Sequence, residues 1–172
     1  TSGASCSPNP CDASGACCSA GNCAQTTQST CQGTFTVAGT CTPNPCTPLS
    51  DDCSNRQGLG LGTTPFDTTN ATTDGPADAL CLNAGSNQIG KDIWFNHPAT
   101  FDGTLDIDTC GSSFDTKIAV YSGTGCTNFD TRIIACNDDA ACPGANLQSK
   151  VTINVTAGEH YTIRVGGYND AA

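Results

Sequence analysis

Apolar and polar residues alternate with a period of two along the later two thirds of this chain. Gly103-Thr104-Leu105-Asp106-Ile107-Asp108 alternates cleanly, and Val151-Thr152-Ile153-Asn154-Val155 and Tyr161-Thr162-Ile163-Arg164-Val165 keep the same strict period. That spacing places one set of side chains on each face of an extended strand. Lys91-Asp92-Ile93-Trp94-Phe95, Lys117-Ile118-Ala119-Val120-Tyr121 and Arg132-Ile133-Ile134-Ala135-Cys136 read as further strands, with Pro65-Phe66-Asp67-Thr68-Thr69 as an early candidate. Turn residues separate these runs. About seven short strands within some 120 residues predict an all-β fold, a jelly-roll-like antiparallel β-sandwich.

The first fifty residues behave differently. They hold three large apolar side chains, Phe35, Val37 and Leu49, and two of these lie in the single alternating run Gly33-Thr34-Phe35-Thr36-Val37. So little apolar area cannot offset the conformational entropy of ordering fifty residues. The same segment carries eight cysteines: Cys6, Cys11, Cys17, Cys18, Cys23, Cys31, Cys41 and Cys46. We therefore expect an extended arm held by disulfides, preceding the sandwich.

An internal echo supports that division. Cys6-Ser7-Pro8-Asn9-Pro10-Cys11 recurs as Cys41-Thr42-Pro43-Asn44-Pro45-Cys46, 35 residues later. Repeats of this length commonly stack or string into elongated assemblies, although a local duplication leaves the same trace. The proline-rich stretch Pro43–Pro48 reads as a stiff linker. The boundary near residue 50, separating an arm (1–50) from a sandwich (51–172), is also a charge boundary, since Asp12 is the only charged side chain before Asp51. Six cysteines follow it (Cys53, Cys81, Cys110, Cys126, Cys136 and Cys142), so each part holds an even number. Sequence alone fixes no pairing.

Fourteen cysteines in 172 residues exceed what a reducing compartment tolerates without metal. The arm has no histidine and no CxxC pair, which disfavours zinc. We expect disulfides, hence a secreted or cell-surface protein. The sequence opens at Thr1 without a basic or apolar leader, so any secretion signal is expected to have been removed. No apolar run approaches the ~20 residues of a membrane span. Six basic against sixteen acidic residues give a net charge of −10. That balance disfavours nucleic-acid and anionic-membrane partners, which require clustered Lys and Arg.

Several stretches in order carry a family likeness. They are Asp51-Asp52-Cys53, Thr64-Pro65-Phe66-Asp67-Thr68-Thr69, Asp92-Ile93-Trp94-Phe95, Phe114-Asp115-Thr116-Lys117, Ala135-Cys136-Asn137-Asp138-Asp139 and Tyr161 to Tyr168. Residues 51–170 resemble the bacterial pre-peptidase C-terminal type of sandwich. The arm is similar to short cysteine-rich repeats of planctomycete-type secreted proteins. The resemblance implies a non-catalytic module attached to secreted enzymes or long surface proteins.

Members of that family continue past the Gly-Gly-Tyr segment into a last strand of the form Gly-Thr-Leu-Thr-Ile, whereas this sequence stops at Ala172. Thr34, Phe35, Thr36 and Val37 follow Gly33 in the same order of small, Thr, apolar, Thr, apolar. We read Thr34–Val37 as a candidate assembly strand filling the vacant edge of a sandwich, its own or a neighbour's. An ordinary β-element within the disulfide repeat is the alternative reading.

Candidate chemistry is sparse. Asp115, with the loop Asn137, Asp138 and Asp139, is the best candidate metal site, because calcium takes six to eight oxygen ligands that such turns supply. Capping of turns by Asn and Asp is the alternative. Asn70-Ala71-Thr72 and Asn154-Val155-Thr156 are glycosylation sequons at Asn70 and Asn154. His97 and His160 belong to no recognisable catalytic triad or metal-binding pair, and disulfide-bonded cysteines offer no nucleophile. An enzyme is not expected. The leading reading is a secreted bacterial structural protein, a subunit of a head-to-tail filament joined by the arm and carrying glycans. The alternative is a calcium-dependent accessory or carbohydrate-binding module of a larger secreted enzyme, which the single tryptophan, in a core-like strand, disfavours.

Overall fold

The computed structural model of the chain describes residues 13–19, 22–41 and 50–172. Cys6, Cys11, Cys46, both Pro-Asn-Pro-Cys segments and the proline linker lie outside the described residues. The chain divides into two compact units, Thr1–Pro48 and Leu49–Ala172.

The first unit is a three-stranded antiparallel sheet of β1 (Ser14–Ser19), β2 (Asn22–Thr27) and β3 (Thr34–Val37), in the order β2-β1-β3. Cys17 pairs with Cys31 and Cys23 with Cys41, so one disulfide precedes β3 and the other follows it. Gly15 is required where it stands: an added Cβ would lie 2.1 Å from the Thr36 carbonyl oxygen and 3.0 Å from the Phe35 ring. Among the described residues of this unit, only Gly15, Ala16 and Cys17 are buried, so cross-linking substitutes for a core.

The second unit is a β-sandwich. Its larger sheet contains β4 (Gln57–Gly58), β5 (Gly90–Pro98), β7 (Thr116–Ser122), β8 (Ile133–Asn137) and β12 (His160–Gly167), in the order β4-β5-β12-β7-β8. All its pairings are antiparallel except β4 with β5. The opposing sheet pairs β6 (Gly103–Asp108) with β11 (Lys150–Val155), from Val155 opposite Gly103 to Lys150 opposite Asp108. A small hairpin of β9 (Ala140–Cys142) and β10 (Ala145–Gln148) and one helical turn, α1 (Phe129–Arg132), complete it.

The two sheets enclose one apolar core: Ile93 and Phe95, Ile118 and Val120, Ile163 and Val165 face Leu105, Val151, Ile153 and Val155. The larger sheet is buried on its other face as well, where Trp94, Ala119, Tyr121 and Ile89 pack with the Cys53 and Cys81 disulfides. Double burial explains why β7 and β12 carry almost no exposed residue. Thr162 and Arg164, which period-two alternation places on a polar face, are themselves buried. The six cysteines of this unit pair among themselves, as Cys53–Cys126, Cys81–Cys136 and Cys110–Cys142.

Pro65–Thr69 forms no strand. Its backbone is taken by local turns instead: Asp67 accepts the Thr69 amide at 2.8 Å and Thr68 the Ala71 amide at 2.9 Å. Phe66 nevertheless packs on the core.

Candidate functional site

Strand β6 has β11 on one side and no strand on the other among the described residues. Along that second side runs a cavity of about 620 Å³. Its floor includes Phe95, Ile118, Ile163 and Val165 from the larger sheet, and Leu105 and Ile107 of β6 line it. Segments 59–66 and 108–114, with His97 and Asp106, form its other walls, and Phe66 and Phe114 are in edge-to-face contact at 6.1 Å. A two-stranded sheet opposite a five-stranded one thus leaves a groove with an apolar floor and mixed walls, beside a backbone edge that no described strand pairs. Such an edge offers a row of unpaired N–H and C=O groups to another strand.

The arm places the predicted assembly strand Thr34–Val37 at a sheet edge. On one side it pairs with β1, from Gly15 opposite Val37 to Cys18 opposite Thr34. Its other side carries no strand among the described residues. Phe35 is half-buried and Val37 is 62% exposed.

The acidic candidates separate into members and a bystander. Asp115, Asp138 and Asp139 each bring one carboxylate oxygen within 4.8 Å of the others. Asp138 is 6% exposed. Its Oδ2 accepts a hydrogen bond from Asn83 Nδ2 (2.9 Å) and lies 3.4 Å from the buried Lys117 ammonium. Its Oδ1, and Oδ1 of Asp115, are closed to solvent without a hydrogen-bond partner. Burial pushes the Asp115 carboxyl above its ordinary range, and the neighbouring Asp138 and Asp139 add to the rise while Lys117 opposes it. Asn137, counted above with the metal candidates, turns its amide elsewhere: its Oδ1 accepts the Lys150 amide (3.0 Å) and its Nδ2 donates to the Asp139 carbonyl (3.3 Å).

A buried ionic cluster that the sequence did not announce lies on the outer side of the larger sheet. Arg164 Nε donates to Asp92 Oδ2 at 2.9 Å, and its other nitrogens donate to the Pro76 and Ile89 carbonyls. The guanidinium stands 5.3 Å over the Trp94 ring, whose Nε1 donates to Asp74. Tyr121 donates to Asp78 Oδ2. Burial drives Asp92 up to about 6 against the pull of Arg164. Every polar group here is spent on a neighbour, which marks a structural cluster.

His97 bonds through Nδ1 to the Leu59 carbonyl and His160 to Asn96. Asn154 is exposed on β11, and Asn70 is half-buried in a loop. No described helix is long and apolar enough to cross a membrane.

Fold and site together define an all-β, disulfide-rich protein: a β-sandwich with an open strand edge, preceded by a small cross-linked sheet. No protein-family model matches the chain, and no curated protein or solved structure matches it either.

Proposed function

We propose that the chain is a non-catalytic subunit of an extracellular bacterial filament, in which β3 of one copy pairs along the open edge of β6 in the next. The observation that carries this reading is the groove with an apolar floor beside that edge. The same proposal takes the sandwich as a module of the pre-peptidase C-terminal type, the arm as a related cysteine-rich repeat, and Asn70 and Asn154 as glycan acceptors.

Chemical fit supports the pairing. Strand β3 presents Phe35 and Val37 on a backbone whose outer edge is open, and β6 presents an open edge over an apolar floor. Burying Val37 and the exposed remainder of the half-buried Phe35 contributes roughly 2–4 kcal/mol, and each new ladder hydrogen bond ~1 kcal/mol. Held by disulfides on either side, β3 needs no unpairing from β1 to add its free edge. Donation from arm to groove uses two different surfaces, so it does not close on itself and propagates as a fibre. Trp94 offers no sugar-binding face, since it is 1% exposed and packed against Tyr121 and Phe129.

Negative-stain electron microscopy tests the proposal, with wild type beside a Phe35→Asp, Val37→Asp variant of unchanged circular dichroism. Filaments in the first and single particles in the second are expected. Monodisperse wild-type particles at high concentration, or filaments in both, contradict it.

A further inference from the structure

We infer that Asp115, Asp138 and Asp139 form a binding site for a hard divalent cation, calcium. Acidic residues gather on many surfaces without an ion, so the burial of Asp138 within this group is what distinguishes it. Asp138 is more than nine-tenths buried, yet its Oδ1 has no donor, and Oδ1 of Asp115 is likewise enclosed without one. A buried carboxylate oxygen without a partner is costly, and carboxylates whose oxygens gather within 4.8 Å repel one another. A cation coordinated between them removes both penalties.

Charge and geometry agree on its type. Three carboxylates and the Lys117 ammonium leave a local charge of −2. Lys117 does not complete the compensation, because it also donates to the carbonyls of Cys81 (3.2 Å) and Ser86 (2.9 Å), and it meets Asp138 through Oδ2. Donor oxygens within 4.8 Å of one another fit calcium, across which two oxygens lie up to ~4.6–5.2 Å apart. The donor set is all oxygen, with no imidazole or thiolate, which selects a hard ion over zinc or copper.

The site is also held in place. Asp115 leads into β7, and Asp138 and Asp139 lie between β8 and β9. The Cys110–Cys142 disulfide ties the segment before Asp115 to β9, and Cys81–Cys136 anchors the end of β8. Ser149 Oγ holds the Asp138 carbonyl at 2.6 Å. Asp139 is exposed, giving the ion an entry path and room for water ligands. This inference is independent of filament assembly.

Isothermal titration of CaCl2 into the full chain, stripped with EDTA and held in 150 mM NaCl, tests it. One ion per chain is expected, with a Kd of about 0.1–1 mM, the range of extracellular modules. In 10 mM CaCl2 the thermal midpoint should rise by about 5 °C or more. Asp139→Asn is exposed and safe for folding, and it should weaken binding at least tenfold, as should Asp115→Asn. Asp106→Asn, Asp108→Asn, on the solvated face of β6, should bind as wild type does. Absence of calcium heat in the wild type overturns the site. So does equal binding by Asp139→Asn and Asp115→Asn, or an equal loss in the β6 variant, which would indicate diffuse counter-ions.

Discussion

Arg164 and Asp92 show how a polar pair can sit at the centre of a strand. Both are fully buried, and Arg164 satisfies two backbone carbonyls besides its carboxylate. Gly75 makes this possible, since a Cβ there would lie 2.3 Å from the guanidinium carbon. Removing the cation by Arg164→Met leaves Asp92 uncompensated, so urea unfolding should show a loss of about 3–5 kcal/mol. Proton linkage gives a second prediction. Folded Asp92 keeps its proton to about 6, whereas the ordinary value is 3.8. Its contribution is therefore fully present below pH 3.8 and is lost as pH rises through 6, by on the order of 3 kcal/mol. Thermal midpoints measured in EDTA should fall between pH 4 and 6, and Asp92→Asn should remove most of that slope. A midpoint rising across this window would mean that Arg164 keeps Asp92 ionised throughout. None of this cluster was legible in the sequence. Alternation in 161–165 reads as polar-outward, because a solvated face and a buried polar face leave the same pattern.

At the scale of elements, the sequence was most informative where burial is one-sided. Strands β6 and β11 stand where alternation placed them, since β-branched and leucine side chains on one face meet a core and Thr, Asn and Asp on the other meet water. Arm strands β1 and β2 escaped notice because their Ser, Gly, Cys and Gln residues have no strand pattern; register there is imposed by disulfides and by the Gly15 contact. Pro65–Thr69 failed for the opposite reason, its Thr content suggesting a strand while Asp67 and Thr68 closed turns. Of the acidic loop, three residues converge and Asn137 does not, a distinction made by the Lys150 amide from a strand distant in sequence. Cross-linking at this scale can be measured. Opening Cys110–Cys142, which spans 32 residues, by replacing both cysteines with serine should cost about 3–4 kcal/mol in urea unfolding. A cost near zero would show that the hairpin and the 109–116 segment hold their places without it.

For the whole molecule, the division of labour follows from composition. A segment with three large apolar residues is shaped by cross-links, and one with alternating runs builds a sandwich. The pairing of all six later cysteines among themselves lets the sandwich be stapled independently of the arm. Among the described residues, β6 has no partner strand on its second side, and β3 in the arm has none on its outer edge. The groove itself was not readable in the chain. It depends on residues 59–66, 105–107 and 111–114 meeting over the larger sheet, which no local pattern records.

A mixing experiment between two blocked subunits tests the arm-to-groove interaction most directly. One carries Phe35→Asp, Val37→Asp in the arm with an intact groove; the other carries Ile107→Asp in the groove with an intact arm. Light scattering on each alone should report the 17.4 kDa chain. Mixed in equal amounts, they should form a species of twice that mass and nothing larger, because one functional arm meets one functional groove. Chains that stay single after mixing, or a blocked variant that still polymerises alone, would contradict head-to-tail strand donation.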